Sequence, residues 1–215
     1  MSKLTILGAG DHCREILGSV RMAESENKFD KVFFVDRDDS EKVGTVIDGA
    51  EVISESEALK SSDGDYICGM GTPLGRKAVL DRFDDGSRHF INILHPSVIV
   101  CPDVLLGRGV FASAGAVLNL ACDLQDHCVI NSKVCVGHDS IIGPMAMISP
   151  GCTLAGRTSV GEGAFLGAGV VTFPTSKIGE WSQVSGNATV SKKVKKRTQF
   201  LPYIKVHQLA IPEPE

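Results

Sequence analysis

The sequence predicts a small α/β domain followed by a three-sided parallel β-solenoid, and two observations carry this prediction. The first is a six-residue repeat that begins near residue 93 and continues to Val190. The second is an alternation of strand-like and helix-like segments over residues 1–90, which lack the repeat. We therefore divide the chain into residues 1–90, residues 91–191 and a C-terminal tail over residues 192–215.

The first of these segments has the pattern of a small parallel sheet covered by helices, because short apolar runs alternate with longer amphipathic stretches. The predicted elements are strands over Leu4–Leu7, Val32–Val35 and Tyr66–Cys68, and helices over about Asp11–Ala23 and Leu74–Phe83.

A glycine-rich turn, Gly8-Ala9-Gly10, follows the first predicted strand and opens the first predicted helix. Glycines at such a turn let the backbone approach a phosphate, which the free N–H groups of the helix attract. Asp36 ends the next strand, where an acidic side chain of dinucleotide-binding folds bonds a ribose hydroxyl. A second loop, 69–72, is expected at the same edge of the sheet. These features favour a nucleotide site over a plain strand-to-helix turn.

The repeat supports the solenoid. Every sixth residue from Leu94 to Val190 is small or aliphatic, and fifteen of these seventeen positions are Leu, Ile or Val. Two residues earlier in each repeat, every position from Val98 to Ala188 is Val, Ala, Cys, Ser or Thr. A period of six is typical of a solenoid in which each flat side supplies one inward side chain. Three sides make one coil, so the repeat predicts between five and six coils.

His138 and Asp139 are adjacent in the repeat, near a predicted corner of a coil. Imidazole is suited to removing a proton from an amine or hydroxyl near neutral pH, and a carboxylate can orient it. Neighbouring residues on a straight strand point to opposite faces, so contact between this pair requires a turn. His127 and His95 are rival candidates. His127 and His138 are eleven residues apart, which does not place them on one side, so we expect no zinc site.

The bulk composition narrows the class of protein. A net charge of −4 and a pI of about 5.9 argue against nucleic acid as the main partner. The apolar runs are too short to span a membrane, and the first residues do not have the pattern of a secretory signal. Seven cysteines without paired spacing favour a reduced, cytoplasmic protein. The lysine-rich tail is expected to be solvated.

Three stretches carry a resemblance to a known family: residues 6–12 (Ile-Leu-Gly-Ala-Gly-Asp-His), residues 129–143, which include Val-Gly-His-Asp-Ser, and residues 148–169. The chain resembles the left-handed β-helix acetyltransferases of bacterial surface-sugar synthesis. These include nucleotide-linked 4-amino-sugar N-acetyltransferases and sialic acid O-acetyltransferases. The resemblance implies a Rossmann-like N-terminal domain for a UDP-, dTDP- or GDP-linked amino sugar and a left-handed parallel β-helix for acetyl-CoA. It also implies a homotrimer with each active site between two subunits.

The resemblance also implies roles for individual residues. His138 would be the general base and Asp139 the residue that polarises it. The residues implied to meet acetyl-CoA are Met147, Gly156, Ala168 and Gly186. The residues implied to meet the nucleotide-sugar are Gly10, Asp11, His12, Asp36, Arg37, Gly71 and Asn131.

The chain departs from the family pattern at several positions. The first loop reads Gly-Asp-His-Cys where the family has Gly-Gly-His-Gly, so we expect a stiffer loop. Met147 stands where many members have a second histidine, and a thioether cannot donate a hydrogen bond. The family's usual C-terminal ending is missing, and Phe173-Pro174-Thr175 interrupts the repeat. The basic run 192–197 would meet the 3′-phosphate of CoA or remain solvated.

The expected function is therefore acetyl transfer from acetyl-CoA to the amino group of a nucleotide-linked 4-amino-4,6-dideoxy sugar, in the synthesis of lipopolysaccharide or another surface glycan. One alternative is an O-acetyltransferase that acts on sialic acid or another sugar hydroxyl. A second alternative is a sugar-nucleotide-binding trimer without catalytic activity. Asp11 and Asp36 favour a nucleotide over a free sugar acid, which would require cationic groups in the first domain.

Overall fold

The computed structural model describes residues 2–23 and 29–201 of the 215-residue chain. The chain forms an α/β unit with one six-stranded sheet, followed by a solenoid whose three sheets contain seven, six and six strands. None of the helices in these described residues is long and apolar enough to cross a membrane.

The α/β unit is built on a sheet with the strand order β3-β4-β2-β1-β5-β6, in which only the β3–β4 pair is antiparallel. Its elements are β1 (Lys3–Leu7), α1 (Asp11–Met22), β2 (Lys31–Asp36), β3 (Val46–Ile47), β4 (Ala50–Ser54), α2 (Glu55–Leu59), β5 (Asp65–Cys68), α3 (Pro73–Phe83) and β6 (His89–Phe90). The three strands and two helices that the sequence predicts are confirmed. The hairpin β3–β4, helix α2 and strand β6 are additional.

Alternate residues of each strand in this sheet face opposite layers, as the period of two requires. Leu4 and Ile6 pack with α1 in one cluster, while Leu7 packs with α2 and α3 in another. Because β1 lies in the middle of the sheet, its carboxyl end is flanked on both sides by the ends of neighbouring strands. The loop after β1 therefore lies at the centre of one edge of the sheet.

The solenoid stacks two-residue strands in parallel register, and each strand up to β20 pairs with the one eighteen residues later. Its strands are β7 (Ile93–Leu94), β8 (Ile99–Val100), β9 (Leu105–Leu106), β10 (Phe111–Ala112), β11 (Val117–Leu118), β12 (Asp123–Leu124), β13 (Val129–Ile130), β14 (Cys135–Val136), β15 (Ile141–Ile142), β16 (Met147–Ile148), β17 (Thr153–Leu154), β18 (Ser159–Val160), β19 (Phe165–Leu166), β20 (Val171–Thr172), β21 (Lys177–Ile178), β22 (Gln183–Val184), β23 (Thr189–Val190), β24 (Lys193–Val194) and β25 (Gln199–Phe200). The aliphatic column and the small column of the repeat form one continuous core cluster. The predicted solenoid is confirmed.

The solenoid extends further than the sequence predicts. The six-residue repeat assigns residues 192–200 to the tail. In the structure, these residues contain β24 and β25, which pair with β21 and β22. Val194 lies opposite Ile178, a step of sixteen residues instead of eighteen. The corner after β23 is therefore two residues shorter, which shifts the repeat out of register. The rest of the predicted tail, residues 202–215, lies outside the described residues.

One sheet of the solenoid carries the α/β unit. The outward positions of its strands are apolar from Ile93 through Phe111, Val129 and Met147, and they share a core cluster with α1 and β1. The ring of Phe111 also meets the imidazole of His12 edge-on, with centroids 5.3 Å apart. The two units therefore pack through an apolar interface on one flat side of the solenoid.

Candidate active site

The turn after β1 takes a conformation that requires glycine. Gly8 has a φ of +124°, and a Cβ there would lie 2.8 Å from the sulfur of Cys13. Gly10 precedes α1 without a side-chain cap, so backbone N–H groups of the first helical turn remain available to a ligand. A turn with these two features can hold a phosphate.

A cavity of about 510 Å³ opens at this edge of the sheet. Six of the seven residues predicted to meet the nucleotide-sugar line it. They are Gly10, Asp11, His12, Asp36, Arg37 and Gly71. The carboxylate of Asp36 accepts hydrogen bonds from the Ser40 hydroxyl and the Arg37 backbone N–H, each 2.9 Å long. These bonds fix the acidic group at the end of β2.

Cys13 connects the two glycine loops of the cavity. Its thiol donates to the Gly69 carbonyl over 3.2 Å, and a Cβ on Gly69 would lie only 2.4 Å from its sulfur. Burial raises the pKa of this thiol to about 12, so it stays protonated at neutral pH. The sulfur fills the space between the loops, and its hydrogen bond restrains them.

Three charged residues of the cavity were not identified in the sequence. The ammonium group of Lys42 donates to the Ala9 carbonyl over 2.8 Å. Arg82 of α3 binds both carboxylate oxygens of Glu55, the first residue of α2. Lys42 lies in a loop after β2, and Glu55 begins a helix of only five residues. Neither Lys42 nor Glu55 therefore belongs to a periodic pattern that can be detected in the sequence.

His138 lies at a corner of the solenoid, between β14 and β15, with half of its side chain exposed. Its Nδ1 lies 2.7 Å from Oδ2 of Asp139. Asp139 has a φ of +56°, which supplies the turn that lets two adjacent side chains meet. A carboxylate only accepts hydrogen bonds, so Nδ1 carries the proton and Nε2 of the neutral ring keeps a free lone pair.

Gly156 lies one coil beyond His138 at the same corner. A Cβ on Gly156 would lie 2.4 Å from Nε2 of His138, so the imidazole rests directly against the glycine backbone. Any larger residue at this position would displace the ring. The structure therefore brings together His138, Asp139 and Gly156, as the resemblance implies.

Next to Gly156, the regular series of backbone hydrogen bonds between successive coils is interrupted. The backbone N–H of Ala155 donates to the hydroxyl of Thr172 over 3.0 Å, and β17 and β20 pair at one position only. Thr172 also bonds the hydroxyl of Thr158 inside the core. Thr172 is one of the two exceptions to the aliphatic column, and its hydroxyl replaces a strand contact.

The two rival histidines have other partners. His127 is 4% exposed, its Nε2 lies 3.0 Å from Oδ2 of Asp84, and its ring meets Phe90 edge-on. Burial lowers the pKa of this imidazole, against the opposing effect of Asp84. Nδ1 of His95 lies 2.8 Å from the Ser97 hydroxyl. His127 therefore belongs to the junction between the two units.

The structure separates the remaining predicted residues. Met147 is 4% exposed and packs under the α/β unit, so within the chain it has no surface to offer a cofactor. Ala168 and Gly186 stack on each other, but at a different corner from His138. The amide of Asn131 donates to the Ile148 carbonyl and lies outside the cavity of the α/β unit.

Exposed aliphatic and aromatic side chains surround the His138 corner. At the same corner, Leu120, one coil before His138, and Phe173, two coils beyond it, are each about half exposed, as is Ile141 of β15. Large exposed apolar surfaces mark interaction sites.

Among the described residues, no group of three or more His, Cys, Asp or Glu side chains has the geometry to hold a metal ion. The seven cysteines are free, and Cys13, Cys68, Cys122, Cys128 and Cys152 are buried.

Comparison with known proteins identifies the N-terminal domain and relates the fold of the whole chain to solved structures. Residues 3–83 match the family model of the PglD N-terminal domain. The acetyltransferase domain of PglB from Neisseria gonorrhoeae superposes with a TM-score of 0.82 at 23% identity, over 90% of this chain and 93% of that chain. WeeI from Acinetobacter baumannii gives a TM-score of 0.66 at 16% identity, over 93% and 96%. These two likenesses concern the fold.

A third solved structure is more similar in sequence. PerB from Caulobacter crescentus, solved with CoA and GDP-perosamine, has a TM-score of 0.82 at 28% identity, over 93% of each chain. A related structure is a histidine-to-asparagine variant of this perosamine N-acetyltransferase, again with CoA and GDP-perosamine. The family-model match at the N-terminus and the structural likeness over the whole chain lead to one conclusion: this chain joins a PglD N-terminal domain to the solenoid fold of these acetyltransferases.

Proposed function

We propose that the protein transfers an acetyl group from acetyl-CoA to the amino group of a nucleotide-linked 4-amino-4,6-dideoxy sugar. The observation that carries this proposal is the His138–Asp139 pair resting against Gly156, in a chain that is 28% identical to an enzyme solved with CoA and GDP-perosamine. The cavity at the Gly10 turn supports a nucleotide as the handle of the acceptor.

The arrangement of the corner suits direct transfer. An amine must give up a proton to attack a thioester, and Nε2 of His138 has the free lone pair to take it. The amine nitrogen forms a bond to the carbonyl carbon, the carbon–sulfur bond breaks, and the CoA sulfur leaves with a proton. Asp139 holds the ring through Nδ1 and stabilises the imidazolium that forms. A backbone N–H at Gly156 would bind the oxyanion of the tetrahedral intermediate.

The α/β unit would hold the nucleotide as a Rossmann-like domain does. The diphosphate would lie at the N-terminus of α1 beside Gly10 and His12, and the ribose would bond Asp36. Lys42, which lines the same cavity, supplies a positive charge for the phosphates. Arg37 and Gly71 complete this proposed binding site.

We also propose that the active protein is a homotrimer. Ala168 and Gly186 lie one solenoid side away from His138, which at six residues is at most about 20 Å across the face, and between one and three coils further along the axis. A second subunit that covers Leu120 and Phe173 would bring its own residues to the His138 corner and bury the exposed apolar surface. Acetyl-CoA would then lie between two subunits. We propose a cytoplasmic location, because acetyl-CoA and nucleotide-sugars for surface glycans are available there.

The test is CoA thiol release from acetyl-CoA with GDP-, UDP- and dTDP-linked 4-amino sugars and with free sialic acid. We expect turnover with one of the amino sugars. In His138→Asn the amide can still reach Asp139 but cannot take a proton, so we expect kcat to fall by about a hundredfold to ten-thousandfold.

A matched control is available in the α/β unit. His89 is an exposed histidine with Nδ1 2.7 Å from a carboxylate oxygen of Asp65, remote from the solenoid corner. His89→Asn should therefore retain the parent rate. Full activity in His138→Asn would refute the assignment of the base, and turnover with sialic acid alone would identify an O-acetyltransferase.

A further inference from the structure

We infer that the Glu55–Arg82 pair recognises the nucleobase of the acceptor and that the pair is selective for guanine. This inference rests on the proposed nucleotide site and adds the identity of the base. The pair lines the 510 Å³ cavity, and neither residue belongs to the phosphate or ribose positions described above.

The strand order places Glu55 at the base end of the cavity. The phosphate turn follows β1, the ribose-binding acid Asp36 ends β2, and the next strand outward is β4. Glu55 begins immediately after β4, so the three positions succeed one another along the same edge of the sheet. A nucleotide whose phosphates lie at Gly10 and whose ribose lies at Asp36 extends its base toward Glu55.

The pair is held in a fixed geometry. The guanidinium of Arg82 binds Glu55 through two nitrogens, one of which lies 3.0 Å from Oε2. The side chain of Glu55 is only 20% exposed, and that of Arg82 is 45% exposed. Each carboxylate oxygen retains a lone pair beyond its bond to Arg82, and the guanidinium retains further N–H donors. The pair therefore presents acceptors and donors side by side.

This order of groups matches one edge of guanine. Guanine presents its O6 acceptor beside the N1–H and N2–H₂ donors, so O6 can accept from Arg82 while both donors converge on the free lone pair of one Glu55 carboxylate oxygen. Uracil and thymine present a single N3–H between two carbonyl oxygens. One of those carbonyls would face the carboxylate, and acceptor would meet acceptor. Ala78 and Val79 of α3 line the same wall and offer apolar contact to the face of the base.

The experiment measures the binding of free GDP, UDP, dTDP and ADP to the full chain by titration calorimetry. We expect GDP to bind at least about tenfold more tightly than UDP or dTDP. Glu55→Gln places an amide donor opposite the guanine donors, so it should weaken GDP binding by about tenfold to a hundredfold and change UDP binding by less than about twofold. Arg82→Gln should also weaken GDP selectively. Glu57→Gln, on the exposed side of α2, is the matched control and should bind all four nucleotides as the parent does.

Two results would overturn the inference while leaving the nucleotide site intact. One is equal or tighter binding of UDP or dTDP by the parent protein. The other is an equal loss for every nucleotide in Glu55→Gln, which would mean that Glu55 only shapes the loop. If no nucleotide binds the parent protein, the proposed function falls together with this inference.

Discussion

At the scale of single residues, the backbone conformation at the solenoid corners determines which side chains meet. At the His138 corner, each coil contains one non-glycine residue in the left-handed region: Asp103, Ala121, Asp139, Arg157 and Thr175. Such a conformation costs roughly 1–2 kcal/mol per residue, so the packing of the coils must impose it. Only Asp139 follows a histidine. The same turn recurs on the other coils without chemical consequence. At Asp139 it orients the imidazole of His138.

The junction histidine, His127, predicts a pH dependence of stability. Burial holds the pKa of His127 in the folded protein below the ordinary value of 6.5, so the unfolded chain binds more protons as the pH falls below 6.5. The neutral ring of His127 therefore contributes fully to the unfolding free energy above pH 6.5. This contribution is lost as the pH falls from 6.5 toward the pKa of His127 in the folded protein. We expect the unfolding free energy of the parent protein to decrease more between pH 7.5 and pH 5.5 than that of His127→Gln.

Urea unfolding at several pH values measures this difference. His89→Gln, at an exposed histidine of the α/β unit, should follow the parent curve. Parallel curves for the parent and His127→Gln would show that His127 does not titrate differently in the two states.

At the scale of elements, strands of two residues depend almost entirely on the coils above and below them. The contacts of each strand are with strands one coil away, so a single irregular coil has a local effect. The clearest irregularity is at β17 and β20, where the Thr172 hydroxyl takes the Ala155 N–H. Since Ala155 precedes Gly156, this exchange shapes the backbone on which the His138 ring rests.

Thr172→Val should therefore affect both stability and catalysis. The valine keeps the side-chain volume but leaves the Ala155 N–H without its partner, which costs about 1–3 kcal/mol. We expect kcat to fall with little change in KM for the nucleotide-sugar, because the cavity of the α/β unit is untouched. Chemical unfolding and steady-state kinetics measure the two effects.

Thr153→Val is the control, because Thr153 lies exposed on the outer face of β17. A substitution there should change the unfolding free energy by less than about 0.5 kcal/mol. Thr172→Val that matched this control in both measurements would show that its hydroxyl has no structural role.

The contrast between repeats and loops explains what the sequence could predict. The six-residue period is independent of long-range packing, so the coils and their inward columns are predictable until the corner shortens after Val190. The loops after β1, β2 and β5 meet because parallel strands end at one edge. Lys42 and Glu55 could not be placed this way, since β3, β4 and α2 are not evident in the sequence. The position of Met147 depends on how the α/β unit docks, which no local pattern encodes.

At the scale of the whole molecule, one buried side chain connects the cavity of the α/β unit to the solenoid. Arg76 of α3 is fully buried and donates to the Met70 carbonyl over 3.0 Å and to the His127 carbonyl over 3.1 Å. Met70 lines the cavity, whereas His127 belongs to the solenoid. The loop that would hold the nucleotide is therefore attached to the frame that carries His138, and the two sites keep a defined relation.

The proposed trimer predicts the effect of a charge on its contact surface. Leu120 is 50% exposed beside His138, and an aspartate there would be buried without a partner in the assembly. We expect sedimentation to give about three times the 22.9 kDa chain mass for the parent protein and a shift toward the single-chain mass for Leu120→Asp. Acetyl transfer should be lost with the assembly.

Leu74→Asp provides the matched control, because Leu74 is 69% exposed on α3, in the α/β unit. It should assemble and turn over substrate as the parent does. A parent protein that sediments as a single chain, or a Leu120→Asp variant that remains assembled and fully active, would contradict the trimer.

The stacking of the coils also fixes the distances between groups along the solenoid axis. Neighbouring strands of a sheet lie about 4.8 Å apart, so groups on successive coils are separated along the axis in whole multiples of that step. His138 and Gly156 are one coil apart, and so are Ala168 and Gly186. A substitution changes the side chain that a coil presents to a ligand, but it does not change the distance between coils. The reach between the points that grip an extended ligand is therefore set by the number of coils in the chain, and it can be lengthened or shortened only by a whole turn.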